Sequence, residues 1–152
     1  MLAIVEGIAV LSCVLFAGAA VYINLVEHPV RMGRDTRTAA TLWAPSYERA
    51  TLMQAPLAVT SLLAGVAAWL AGGGVMWLVA ALLIGAVVPF TLVAIAPTNE
   101  QLLAPGRDLA SDETRALLEK WGRLHAARSV MSLAASILYV VLLLGLRAPG
   151  GP

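Results

Sequence analysis

Four long apolar runs, at residues 2–26, 55–71, 75–96 and 126–146, constrain this chain more than any other feature. Each approaches the roughly 20 residues an α-helix needs to cross a ~30 Å hydrocarbon core. Lipid offers no water to pair the backbone, so runs of this length must be helices. Composition agrees, with 60% of residues hydrophobic and 12% charged, against about 45–50% and about 25% in soluble domains. A soluble domain of 152 residues has too much surface for its volume to hide so much apolar material. Disorder, a nucleic-acid module and an ordinary water-soluble enzyme are thereby excluded. The single cysteine, Cys13, rules out an intrachain disulfide framework and a multi-thiolate metal site. The expected fold is all-α: an antiparallel transmembrane four-helix bundle with two long cytoplasmic connections.

The joints refine the boundaries. The first run carries Glu6, lacks a basic leader and is too long for a signal-peptide core, so a retained helix is expected. Gly72-Gly73-Gly74 is a minimal turn between the second and third runs. Pro45-Ser46 reads as the start of the second helix, with Pro56 kinking it further along. Ser111-Asp112-Glu113 supplies a cap and an acidic first turn for the last helix. The expected helices are 2–28, 45–71, 75–97 and 112–147, in one domain over 1–148 with a short flexible tail at 149–152.

Placement of charge sets the expected topology, since the net charge is only +1. Arg31, Arg34, Arg37, Arg49, Arg107, Arg115, Lys120, Arg123 and Arg128 belong to one side, and Arg147 alone to the other. The positive-inside bias puts both long connections in the cytoplasm and both termini outside. Trp69 and Trp77 at one end, and Trp43, Tyr47 and Trp121 at the other, fit interfacial aromatic belts. The Ala, Gly, Leu, Val and Arg bias suits a high-GC bacterium, which makes the plasma membrane the expected location.

Two polar stripes then stand out. Glu6, Cys13, Ala17, Ala20, Asn24, Glu27 and Arg31 recur at helical spacing on one face of the first helix. Leu117, Trp121, Leu124, His125, Arg128, Ser132 and Ser136 do the same on the last. Ionisable groups avoid lipid, so both faces should turn inward. Their polar ends, Asn24-Glu27-His28-Arg31 and Trp121-His125-Arg128, fall at one level, joined there by Asn99 from the third helix and by Tyr47 and Gln54 from the second. Taken singly, each has an ordinary explanation. Glu27 can pair with Arg31, His28 can sit at a helix end, Arg128 can snorkel, and Cys13 can serve close packing. Taken together, they describe one polar pocket near the cytoplasmic interface.

The run Ala17-Gly18-Ala19-Ala20-Val21-Tyr22-Ile23-Asn24-Leu25-Val26-Glu27-His28-Pro29 resembles the first-helix signature of the small anthrone oxygenase-like membrane proteins. Trp43-Ala44-Pro45-Ser46-Tyr47, Pro97-Thr98-Asn99 and Trp121-Gly122-Arg123-Leu124-His125-Ala126-Ala127-Arg128 are similar to the family's remaining blocks. Fungal members oxidise anthrones to anthraquinones, while bacterial members form a domain family of unassigned function. The resemblance implies an oxygenase acting on an anthrone-like aromatic polyketide, with molecular oxygen as co-substrate and no cofactor. It further implies His125 as base, His28 as the competing base, Glu27 orienting a histidine, Arg128 and Asn99 holding the enolate oxygen, and Trp121 and Tyr47 stacking on the rings. Asn24 and Gln54 complete the expected substrate contacts. Two other readings stay open. One is iron, copper or haem bound through His28, His125 and Glu27, although no HExxH-type spacing is present. The other is a non-catalytic membrane partner subunit. The expected partners are the lipid bilayer and a small aromatic substrate, without nucleic acid, and homo-oligomerisation is left open.

Overall fold

The computed structural model describes residues 1–145. Four helices account for nearly all of them: α1 (Leu2–Met32), α2 (Thr36–Gly73), α3 (Val75–Leu102) and α4 (Asp112–Leu143). No strand occurs among the described residues. All four helices are long and apolar enough to cross a bilayer, and the chain is a multi-pass membrane protein. Leu144 and Gly145 form a turn after α4, with Gly145 at φ 66°. Arg147, the end of the expected last helix and the expected tail lie outside the described residues.

The first connection is not long. It is reduced to Gly33–Asp35, because α1 runs past Pro29 to Met32 and α2 begins at Thr36, nine residues before Pro45. Asp35 starts α2: one carboxylate oxygen accepts from the Thr38 backbone N–H at 3.0 Å and the other from the Thr38 hydroxyl at 2.7 Å. These bonds, the backbone one foremost, hold the Asp35 carboxyl below its ordinary range. With a cap in place and helix on both sides, Pro45 is carried as an interior residue, like Pro56. The third connection, residues 103–111, is the longer one. Arg115, in the first turn of α4, ties down the first connection instead, donating to the carbonyls of Met32 (2.6 Å) and Arg34 (3.1 Å).

Two prolines are absorbed in a different way. A π-helical turn at Ile23–Glu27 immediately precedes the His28-Pro29 pair, and another at Thr91–Ile95 precedes Ala96-Pro97. A proline ring clashes with the carbonyl four residues back, and a widened turn relieves that clash without ending the helix. Helix α3 is also interrupted at Ala86 (ψ −18°), three residues before Pro89.

Consecutive helices pack side by side, and α4 returns against α1. Between those two, Cys13 meets Ser136 and Asn24 meets His125, so rising numbers on one face falling numbers on the other. The half near the Gly72–Gly74 turn is built from small residues around Phe16, Ile84 and Tyr139. Without a hydrophobic drive between helices in lipid, small side chains and interhelical hydrogen bonds supply the cohesion. Ser61 donates to the Ala9 carbonyl at 2.9 Å, and the Tyr139 hydroxyl donates to the Ser61 carbonyl at 3.2 Å. That hydroxyl fills the place a Cβ would take at Gly65. Trp43, Trp77 and Trp121 are buried core residues rather than members of interfacial belts, while Trp69 is exposed.

Candidate functional site

The other half of the bundle encloses a cavity of about 230 Å³. Its floor comes from the inward faces of α1 and α4, with Phe16, Ile23, Trp121, His125 and Arg128 among the lining residues. Its walls come from α2, including Tyr47 and Gln54, and from the π turn and following residues of α3, including Asn99. The two stripes read from the sequence therefore meet, and they meet where the π turns lie.

His125 is 2% exposed, and its ring is fixed from both sides. Asn24 donates through Nδ2 to the Gly122 carbonyl at 3.2 Å, which leaves Oδ1 facing His125 Nδ1 at 2.7 Å. Ser129 donates to the same Oδ1 at 2.5 Å. An amide oxygen only accepts, so Nδ1 carries the hydrogen, and in the neutral ring Nε2 holds the free lone pair. Trp121 stacks on the imidazole with centroids 4.7 Å apart and planes 28° apart.

Arg128 reaches across to α2, donating to Gln54 Oε1 at 2.6 Å, while its guanidinium carbon lies 4.9 Å from the centre of the Phe16 ring. This orients Gln54 with its oxygen occupied and its Nε2 donor free. Gln54 Nε2, Arg128 Nε, Asn99 Oδ1 and Trp121 Nε1 are all buried without a partner, and all four residues line the cavity. Each such group costs about 1–3 kcal/mol if left dry. Four of the seven such atoms among the described residues belong to residues around this cavity, so unmet hydrogen-bonding capacity gathers there.

Glu27 lines the cavity too, but its carboxylate is already engaged by the Arg31 guanidinium and the Ser46 hydroxyl. Arg31 also donates to Ser46 Oγ at 3.1 Å. These three side chains face both the cavity and an outer groove between α1 and α2, so they form a partition between the two. Tyr47 stacks on Trp43 at 5.1 Å, and Trp43 meets Trp121 edge-on at 5.8 Å.

Two expected residues, Asn24 and His28, do not line the cavity; Asn24 instead holds His125 from behind, and His28 stands further apart. Its ring packs against Trp121 at 5.3 Å and occupies the space that a Cβ would fill at Gly122. Trp121 thus lies against both imidazoles, and the Glu27 carboxylate is taken up elsewhere. Among the described residues no three His, Cys, Asp or Glu side chains form a metal-binding cluster. His28, His125 and Glu27 are therefore not gathered into one three-ligand donor set.

Four contributors escaped the sequence reading. Ser129 was legible as the residue one turn beyond His125 on the same face. Ser46 lies within the Trp43–Tyr47 block but carries no signal for its bond to Glu27. Phe16 interrupts a stripe of small residues with a single ring, and Gly122 shows its purpose only when His28 is seen against it.

Fold and site together define a class: a four-helix membrane protein enclosing a small cavity with a fixed histidine and unpaired polar groups. Residues 43–138 match the family profile described as anthrone oxygenase. The chain is 32% identical over 145 residues to the anthrone oxygenase tpcL of Aspergillus fumigatus, covering 89% of this chain and 90% of that protein. It is 34% identical over 129 residues to the anthrone oxygenase gedH of Aspergillus terreus, covering 79% and 86%. An anthrone oxygenase of Claviceps purpurea is 28% identical over 150 residues, covering 88% and 85%. No solved structure is detectably similar. The chain belongs to the anthrone oxygenase family. These relatives are fungal and give no support to a bacterial source or to a family without assigned function.

Proposed function

We propose that this protein oxidises an anthrone-like aromatic polyketide to the corresponding quinone, using molecular oxygen in the cavity beside His125. The observation that carries this reading is the pairing of a tautomer-fixed imidazole with unpartnered donors, Gln54 Nε2 and Arg128 Nε, on residues that line one cavity. The CH₂ of an anthrone is activated by two aromatic rings and, through them, by the carbonyl opposite. His125 Nε2 removes one of its protons, and the charge delocalises onto the carbonyl oxygen, where Arg128 and Gln54 donate to it. The anion is electron-rich enough to reduce O₂ itself. A C–O bond forms at the former CH₂ carbon, and the imidazolium returns its proton to give a hydroperoxide. Loss of the second hydrogen from that carbon as a proton, with cleavage of the O–O bond, leaves a carbonyl and releases water. One O₂ is consumed per quinone and per water. Both electron pairs come from substrate C–H bonds, so the reaction calls for no bound cofactor.

The remaining residues shape the space. Tyr47 offers the face not stacked on Trp43 to the rings, Trp121 backs the His125 imidazole, and Asn99 Oδ1 accepts from a ring hydroxyl. At about 230 Å³ the cavity is smaller than the ~300–1,000 Å³ typical of ligand clefts, which suits a flat guest of few rings. His28 acts through Trp121 as a packing residue. Glu27 stays bound to Arg31 and Ser46. The working location is a lipid bilayer, with the Arg-rich ends of α1, α2 and α4 on the cytoplasmic side.

The test is oxygen uptake by detergent-purified protein given an anthrone, with and without a chelator, beside His125→Ala. Uptake stoichiometric with quinone, surviving chelation and falling by about 10²–10⁴ in the variant, is the expected result. Uptake no greater than that of His125→Ala would overturn the reading, and uptake abolished by the chelator would transfer it to a metal.

A further inference from the structure

Contact between α2 and α3 is concentrated on Val75–Gly85, the half of α3 nearest the glycine turn. Beyond Ala86, the helix interruption at that residue, Pro89 and the π turn at Thr91–Ile95 carry α3 away from α2 and onto α4. The cavity lies in the fork so made. Its lining residues on α1 and α4 are buried or half-buried, whereas Thr51 and Ala55 on α2, and Val88 and Leu92 on α3, are exposed. The mouth is therefore a slit on the side of the bundle between α2 and α3.

What the slit faces follows from the surface at that level. Leu25, Met53, Val93 and Val130, one from each helix, point outward there and are between 50% and 78% exposed. Residues 50–73 and 75–99 contain no charged side chain. At 1.5 Å per residue, Thr51 and Ala55 lie only about 3–9 Å below Arg49 along the helix axis, just inside the apolar zone. On the opposite side the Glu27–Arg31–Ser46 partition closes the cavity against the groove between α1 and α2.

Resting on the function proposed above, we infer that the substrate enters sideways from the bilayer through the slit lipped by Ala55 and Leu92, so that the enzyme accepts uncharged, flat polycyclic compounds dissolved in lipid. Small residues at Ala50, Ala55 and Ala58 on α2 give a flat molecule room to pass edge-on. A charged or glycosylated aromatic, which stays in water, is excluded by the same route.

The experiment places one cysteine on the lip, Ala55→Cys, and one on a distant lipid-facing position of the same helix, Leu63→Cys. Native Cys13 is fully buried and does not compete. Full-length protein in phosphatidylcholine nanodiscs is treated with benzyl methanethiosulfonate, and modification is quantified by mass spectrometry. Modified Ala55→Cys is expected to lose at least about tenfold in kcat/KM for an anthrone and to regain it on reduction with dithiothreitol, while modified Leu63→Cys stays unchanged. Anthraquinone should slow the modification of Ala55→Cys and leave that of Leu63→Cys alone. Fully modified Ala55→Cys with undiminished kcat/KM and no protection would overturn the inference. Should the unmodified protein oxidise no anthrone, the functional reading falls by itself. Protection by anthraquinone then decides the entry route, its presence supporting the slit and its absence refuting it.

Discussion

Replacing Asn24 with leucine removes the acceptor on His125 Nδ1 while keeping a side chain of similar size. The bond broken is 2.7 Å long and half-buried between α1 and α4. A hydrogen bond of this kind contributes about 0.5–1.5 kcal/mol net. At about 1.4 kcal/mol per factor of ten, the balance between the two imidazole tautomers shifts by roughly 2- to 13-fold. Asn24→Leu should therefore lower kcat/KM for an anthrone by about that factor, well short of the ~10²–10⁴ expected for losing the base itself. The fold should survive, because Ser129 can turn its hydroxyl fully to the His125 carbonyl at 3.1 Å. The Gly122 carbonyl remains inside α4 with its helical partner. Initial oxygen-uptake rates give the activity, and ¹⁵N shifts of the His125 ring report the tautomer directly. In a His125→Ala background the Asn24 change should alter the residual rate by no more than about twofold, since its effect passes through the imidazole. A further severalfold loss in that background, or an unchanged ¹⁵N spectrum in the single variant, would refute the assignment of Asn24 as a positioning residue.

Gly122→Ala drives a methyl group into the His28 ring, 2.7 Å from Cδ2, and should destabilise the protein by about 1–3 kcal/mol. Thermal unfolding in detergent should show the loss, with His28→Ala in the same chain restoring part of it. Gly65→Ala meets the Tyr139 hydroxyl and lies 2.9 Å from the Ala81 methyl, with a similar expected cost of about 1–3 kcal/mol. Adding Tyr139→Phe should recover some stability but not all, because the Ala81 contact remains. Asp35→Ala should lower the thermal midpoint at neutral pH by removing the α2 cap. The folded-state pKa of Asp35 lies below its ordinary 3.8. Its contribution is therefore present above that value and fades as pH falls through the folded pKa. Wild type and variant should accordingly converge in strong acid, and a gap that persists there would count against the charged cap.

Much of this architecture is legible in the amino-acid sequence because lipid leaves a chain few options. Length and apolarity set the four helices, and the i, i+3, i+4 recurrence of Asn24, Glu27 and Arg31 against Trp121, His125 and Arg128 brings out the two faces that meet. What could not be read depends on details that periodicity does not encode. Pro45 looks like a helix start, and only the Asp35–Thr38 bonds reveal that the helix began earlier. Trp43 and Trp121 look like interfacial residues, because their depth depends on a neighbouring helix supplying the facing rings. His125 and His28 compete as the base in the sequence, with His125 on the inward face and His28 at a helix end. The hydrogen bond from Asn24 to the Gly122 carbonyl and the space beside Gly122 separate them, placing one at the cavity and the other behind Trp121.

Each of the two π turns takes up one extra residue, because five residues of the wider turn rotate the chain by about as much as four of an ordinary helix. Arg31 beyond Ile23–Glu27, and Thr98 and Asn99 beyond Thr91–Ile95, therefore keep the faces they would have in a regular helix one residue shorter. Deleting a single residue inside either turn should close it into an ordinary helix and leave those side chains on the bundle face. A deletion far from the turns has no such slack and rotates everything beyond it by about 100°. Among proteins sharing the fold, single-residue gaps should therefore gather at these two turns rather than elsewhere in the same helices.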